Sequence, residues 1–193
     1  MTKPRLEAFS DGVIAIIITI MVLELKVPHG ASWDDLKELW PVFASYVVSF
    51  INMGIYWGNH HHLLHTIKEV RGGILWSNLH LLFWLSLMPF ATAWMGENHF
   101  ARNTVAVYAL LASLCGIAYY ILLLNIKKYN PDNDALQKML RKQTSKGILS
   151  NILNTLAIPA AFIHPAISGV LILIVYAMWL IPDRNIEQAI KEN

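Results

Sequence analysis

The chain has 193 residues, 55% of them apolar and only 15% charged, with seven tryptophans and a mean hydropathy of +0.44; a soluble domain would carry a charged share nearer about a quarter, so a soluble fold is excluded. Fifteen basic residues against thirteen acidic ones leave a net charge of +2, too small to argue for nucleic acid as a partner. The single cysteine, Cys115, lies inside an apolar run, which excludes an intrachain disulfide or a thiolate metal cluster.

What remains is an all-α, polytopic membrane protein, for which six spanning helices of about 20 residues would use roughly 120 positions. The first span is expected over 5–25, where Gly12 to Leu23 is apolar except for Gly12 and Thr19. Lys3 and Arg5 ahead of it give the look of a signal peptide. Glu7 and Asp11 interrupt that pattern, and Leu23-Glu24-Leu25-Lys26 offers no small-x-small cleavage site, so the segment is expected to stay in the mature protein. Further spans are expected over 39–66, 74–94, 104–126, 148–162 and 166–181, making 1–193 a single six-helix domain. Between them, 26–38 carries Pro28, Gly30 and Ser32 as a cap ahead of Asp34 and Asp35. Gly72-Gly73 closes 67–73, 95–103 is polar, and Ile163-His-Pro165 forms a tight hairpin. The longest connection is the loop 127–147, where Asn130-Pro-Asp-Asn133 turns the chain into a short amphipathic piece from Ala135 to Lys146.

A cytoplasmic N-terminus places Lys3, Arg5, Lys68, Arg71, Lys127, Lys128, Lys138, Arg141, Lys142, Lys146, Arg184 and Lys191 inside, against Lys26, Lys37 and Arg102 outside. That bias predicts both termini, and the loop 127–147, to be cytoplasmic. Trp33, Trp40, Trp94 and Trp179 fall near expected span ends, as interfacial anchors do. No internal repeat divides the chain into two halves, so an inverted-repeat transporter is not supported within one chain. The six basic residues of 127–147, set against Asp132 and Asp134, either enforce topology or attract anionic headgroups.

An ionisable group at mid-membrane costs about 2.5–3.5 kcal/mol even on the lenient insertion scale, so each one needs a partner. Arg5 and Asp11 are six residues apart, about 240° around an ideal helix, and cannot pair along one face. Their partners are expected on other helices, where Asn59, His60, His61, His62 and His65 close the second span and Asn78 and His80 open the third. These histidines read as hydrogen-bonded packing groups, as a metal site built on His61 and His65, or as a pH sensor. No firm third ligand and no H-E-x-x-H pattern supports the metal. Arg5 and Asp11 themselves fit either a structural staple or a functional pair.

Further along the first span, Ile16, Ile20 and Leu23 are spaced i, i+4, i+7 and form one stripe, with Thr19 beside it and Gly12 a turn before. On a lone helix such a stripe is a core face. If several copies surrounded an axis, rings of isoleucine and leucine would make a hydrophobic constriction and Thr19 hydroxyls would offer oxygen ligands. Asp11 near the inner mouth would then raise the local cation concentration.

Arg5-x-x-x-Phe9-Ser10-Asp11-Gly12 followed by an isoleucine-rich span resembles the signature of the transmembrane protein 175 family of endosomal and lysosomal potassium channels and their prokaryotic relatives. Trp57-x-x-His60-His61, Asn78 and Pro89-Phe90 agree with that pattern, and the likeness extends over all six spans. The resemblance implies a homotetramer in which the first helix of each subunit lines a central pore. It implies that Ile16, Ile20 and Leu23 form the constriction, that Thr19 with Ile16 bears on potassium preference, and that Arg5, Phe9, Ser10 and Asp11 act in a network at the start of that helix. His60, His61, Asn78 and His80 belong to the same expected network. A Thr-Val-Gly-Tyr-Gly filter is absent from the sequence, so modest selectivity is expected.

The expected function is therefore passive, potassium-preferring cation conduction in the cell membrane of a prokaryote. The partners are further copies of the chain, the lipid bilayer, and K+ with other monovalent cations as transported species; neither a cofactor nor enzymatic activity is expected. Two other readings stand beside it: a membrane-embedded metalloenzyme using His60, His61, His65 and His80, and a proton or small-cation carrier using Asp11 and the histidines as a relay.

Overall fold

The computed structural model describes residues 1–67, 69–129 and 134–180, the side chains of 134–136, 138 and 139 excepted. Within them the chain is all helix: α1 Lys3–Leu23, α2 Trp33–Glu38, α3 Trp40–His65, α4 Gly72–Ser86, α5 Met88–Glu97, α6 Arg102–Lys128, α7 Asp134–Ile163 and α8 Pro165–Leu180. Among the described residues, four stretches are long and apolar enough to cross a membrane: Lys3–Leu23, Gly72–Glu97, Arg102–Lys128 and Leu140–Ile163. Pro165–Leu180 is apolar but shorter. α3 has 26 residues, yet it carries Asn52, Asn59 and the run His60–His62, and it is absent from that group.

Proline opens several of these helices, because a missing N–H costs nothing in the first turn and its fixed φ suits a helix start. Pro4, Pro41 and Pro89 sit in the first two positions of α1, α3 and α5, and Pro165 begins α8. The short α2 starts with a complete capping box: the Asp35 amide donates to Ser32 Oγ at 3.2 Å, and the Asp35 carboxylate accepts from the Ser32 amide at 2.9 Å. The Ser32 cap read from the sequence is therefore present.

α6 is the hub of the bundle, packing against α4, α5, α7 and α8. Tyr108, Cys115, Leu122, Leu123 and Ile126 on α6 are almost wholly buried, as are Met53 of α3 and Leu81 and Leu85 of α4. α1 lies against α3, α4 and α5 on one flank of the molecule. Two links tie its ends. Lys3 Nζ donates to the His65 carbonyl at 2.6 Å, and beyond the other end Lys26 pairs with Glu97 at the end of α5.

Two expected boundaries need correction. The span expected over 74–94 falls within the one membrane-capable stretch Gly72–Glu97, but a break at Leu87 divides it into α4 and α5. Pro89 has no N–H to give, and its ring would strike the carbonyl of Leu85, so the helix breaks two residues ahead of it. The loop expected over 127–147 is mostly helix, since α6 runs to Lys128 and α7 begins at Asp134 and continues unbroken to Ile163. Strong helix formers fill 135–142, and the lone Gly147 costs only about 1 kcal/mol, too little to end a packed helix. The turn Asn130–Asn133 and the cations Lys68, Arg184 and Lys191 lie outside the described residues, as does the side chain of Lys138.

Candidate functional site

α1 has two unlike faces. Leu6, Ser10, Ile14, Ile17 and Met21 recur every three to four residues and are buried, so this stripe fixes the helix to its own bundle. The opposite stripe is solvent-side in the single subunit: Phe9 (49% exposed), Ile16 (59%), Ile20 (41%) and Leu23 (80%), with Gly12 and Thr19 also exposed among them. Only 28% of the apolar window of α1 is buried, against 56% for α6. The stripe Ile16, Ile20 and Leu23 is thus directed away from the subunit core, contrary to the core-face reading of its spacing.

Thr19 Oγ donates its proton to the Ile16 carbonyl at 2.8 Å. A hydroxyl whose hydrogen is held by the backbone has lone pairs left to offer, so Thr19 presents itself outward as an acceptor.

At the start of α1, three of the expected network residues meet in a buried chain. Asn78 Nδ2 donates to Ser10 Oγ at 2.9 Å, Ser10 Oγ donates to the Leu6 carbonyl at 2.8 Å, and Asn78 Oδ1 lies 2.6 Å from His60 Nε2. These bonds join α1, α4 and α3. Asp11 is held separately, accepting from Trp57 Nε1 at 3.0 Å. The expectation that imidazoles and amides partner Asp11 is corrected here: its donor is an indole, while Asn78 engages Ser10 and His60 engages Asn78. Trp57 stands in the motif Trp57-x-x-His60, one turn from the histidine, and that spacing is the signal that could have marked it.

The remaining expected members lie apart from this chain. Arg5 and Phe9 are exposed. His61 is exposed and stacks on His65 at 6.3 Å between ring centroids, with Trp57 at 6.4 Å on its other side. His80 is exposed and accepts from Trp84 Nε1 at 2.8 Å. The four histidines considered for a metal are therefore split between a buried amide contact, a surface stack and an indole contact. Among the described residues no group of three or more His, Cys, Asp or Glu side chains is placed to hold a metal ion.

Together these features define an integral membrane protein whose N-terminal helix is bound on one face and free on the other. Comparison with known proteins gives the family. The description "Endosomal/lysosomal potassium channel TMEM175" matches residues 5–89. A potassium channel of Chryseobacterium sp. (strain P1-3) is 53% identical over the full length of both chains. A potassium channel of Streptomyces collinus is 37% identical over 61% of each chain. The endosomal/lysosomal proton channel TMEM175 of Gallus gallus is 36% identical over 62% of this chain and 26% of its own. Among solved structures, a lysosomal potassium-selective channel TMEM175 homologue from Chamaesiphon minutus superposes with a TM-score of 0.83 at 26% identity, covering 92% of this chain and 96% of that one. The potassium channel MtTMEM175, at 14% identity and a TM-score of 0.67, shares the fold.

The chain belongs to the TMEM175 family. It is an integral membrane channel and not an enzyme, which removes the metalloenzyme alternative, and the family implies no cofactor.

Proposed function

We propose that this protein is a potassium-preferring cation channel that conducts passively through a homotetramer, with one α1 from each subunit around the axis. The observation that carries the reading is the free face of α1. An apolar stripe of Ile16, Ile20 and Leu23 with a hydroxyl-bearing Thr19 in its midst is turned away from the subunit's own core. Brought together in copies, Ile16 and Ile20 form rings that stop ions by dewetting, and Thr19 supplies oxygens beside them. Ser10, Asn78 and His60 hold the buried face of α1, and Asp11 is fixed by Trp57, so the network orients the helix without itself forming the filter. The names of the bacterial relatives as potassium channels support the choice of ion. The positive-inside bias supports six spans with cytoplasmic termini in the cell membrane of a prokaryote.

Replacing Ile16 with Asn wets the constriction. In reconstituted vesicles the variant should pass K+ several-fold faster than the native protein and discriminate less against Na+; unchanged fluxes of both ions would overturn the reading. A second reading, proton passage along the same face, is favoured by the naming of the animal relatives as proton channels. Acidification of vesicles under a pH gradient, measured with and without K+, separates the two.

A further inference from the structure

A chamber lies inside the single subunit, between α3, α6, α7 and α8 and without any residue of α1. Asn52, Gln143, Asn151 and Asn154 line it, together with Tyr176 and Trp179. Asn52, Gln143 and Asn154 are 2%, 3% and 4% exposed. Each of the four amides has one terminal atom that is buried and unpartnered: Asn52 Nδ2, Gln143 Oε1, Asn151 Oδ1 and Asn154 Oδ1. An unpartnered buried amide costs about 1–3 kcal/mol, and four in one place among membrane helices is not a tolerable resting arrangement without an occupant. Terminal amide torsions are soft, so a small turn of each faces its orphan atom into the chamber.

The occupant follows from size and charge. The space open to the centres of water-sized spheres is about 50 Å³. A single water needs about 10–15 Å³, so the chamber has room for a small cluster of them. Among the described residues no carboxylate lines the chamber, so a cation there would lack the charge that repays its dehydration. The orphan set mixes an N–H donor with oxygen acceptors, and water serves both. Gly116 of α6 leaves the room for this arrangement, since a Cβ there would stand 2.5 Å from Asn151 Oδ1. From the chamber wall a line of buried hydroxyls continues inward: Tyr176 to Tyr108 at 3.0 Å, Tyr108 to Ser49 at 3.0 Å and Ser49 to Thr92 at 2.7 Å.

We propose that this chamber is a binding site for a small cluster of waters, which pair the four amides and complete a neutral polar seam that runs through the subunit as far as Thr92, against Met21 of α1. Water-edited solid-state NMR of the full chain in bilayers tests it. The side-chain amides of Asn52, Gln143, Asn151 and Asn154 should gain magnetisation from water several-fold faster than the core side chains of Leu122 and Ala157. The rate should be the same when K+ is exchanged for N-methyl-D-glucamine. Gly147 also lines the chamber and has open space at its Cβ, so Gly147→Leu should fill it and abolish the transfer. Amides as slow as Leu122 in the native protein, transfer from lipid instead of water, or transfer that depends on K+ would each overturn the proposal, whether or not the Gly147 variant folds. None of these readouts involves conduction, so the outcome is independent of the pore reading.

Discussion

Thr19 is the only hydroxyl on the free stripe of α1 between Ile16 and Leu23, and its proton is already committed to the Ile16 carbonyl. Valine has nearly the same shape but no oxygen. In vesicles, Thr19→Val should therefore keep K+ flux while lowering the K+ to Na+ ratio by several-fold; an unchanged ratio would show that Thr19 is a spacer. In the short α2 between α1 and α3, Asp35 presents a different residue-scale test. The Ser32 hydroxyl and then the Ser32 amide bond its carboxylate and hold its pKa below the ordinary aspartate value. A depressed pKa means that the link favours the folded state above the unfolded aspartate pKa and is lost as pH falls through the folded one. A carboxyl ¹³C titration should find Asp35 ionised below the ordinary aspartate range, and Ser32→Ala should return the midpoint toward it. The mirror case is Lys26, raised above the ordinary lysine value by the hydrogen bond to Glu97 and then by that carboxylate's charge.

Helix existence was largely readable in the residues, and helix ends were less so. The cap at Ser32 and the hairpin at His164 follow from local chemistry, which acts over three or four residues and is visible in them. The break at Leu87 is carried by Pro89, which stands inside an apolar run that hydropathy alone reads as continuous. The length of α7 depends on packing against α6 and α8, which no local pattern encodes. The same holds for the two faces of α1: spacing shows that Ile16, Ile20 and Leu23 share a side, and only the tertiary arrangement shows that the side is unoccupied. Asp11's partner was missed because an indole donor carries no charge to advertise it. One strained element offers a direct test. Between α5 and α6, His99 and Phe100 adopt φ of 52° and 58°, a left-handed pair that lets their amides bond back to Gly96 and Met95. His99 is exposed and gains nothing from its side chain there. His99→Gly should raise stability by about 1 kcal/mol, read as a higher melting temperature in detergent, because L residues cost that much in this region.

For the whole molecule, the flank that carries α1 leaves an apolar helix stripe unburied, while more than half of the apolar stretch of α6 is buried within the subunit. The tetramer reading makes a geometric prediction. With Cys115 replaced by alanine and Leu23 by cysteine, oxidation should link neighbouring subunits into dimers on denaturing gels, whereas a cysteine at buried Ile14 should not; equal linking at both positions would place the axis elsewhere. The tethers at the two ends of α1 then take on a mechanical meaning. Lys3 is fastened to the end of α3 and Lys26 to the end of α5, so the rod between them is clamped like a spindle in two bearings. Sliding along its length would strain both of these exposed fastenings, whereas a twist about its own long axis strains neither greatly and works instead against the Asn78–Ser10 and Trp57–Asp11 hydrogen bonds. Movements of packed helices are typically about 1–2 Å, too small to exchange one row of residues for the next but enough to widen or narrow a throat lined by their side chains.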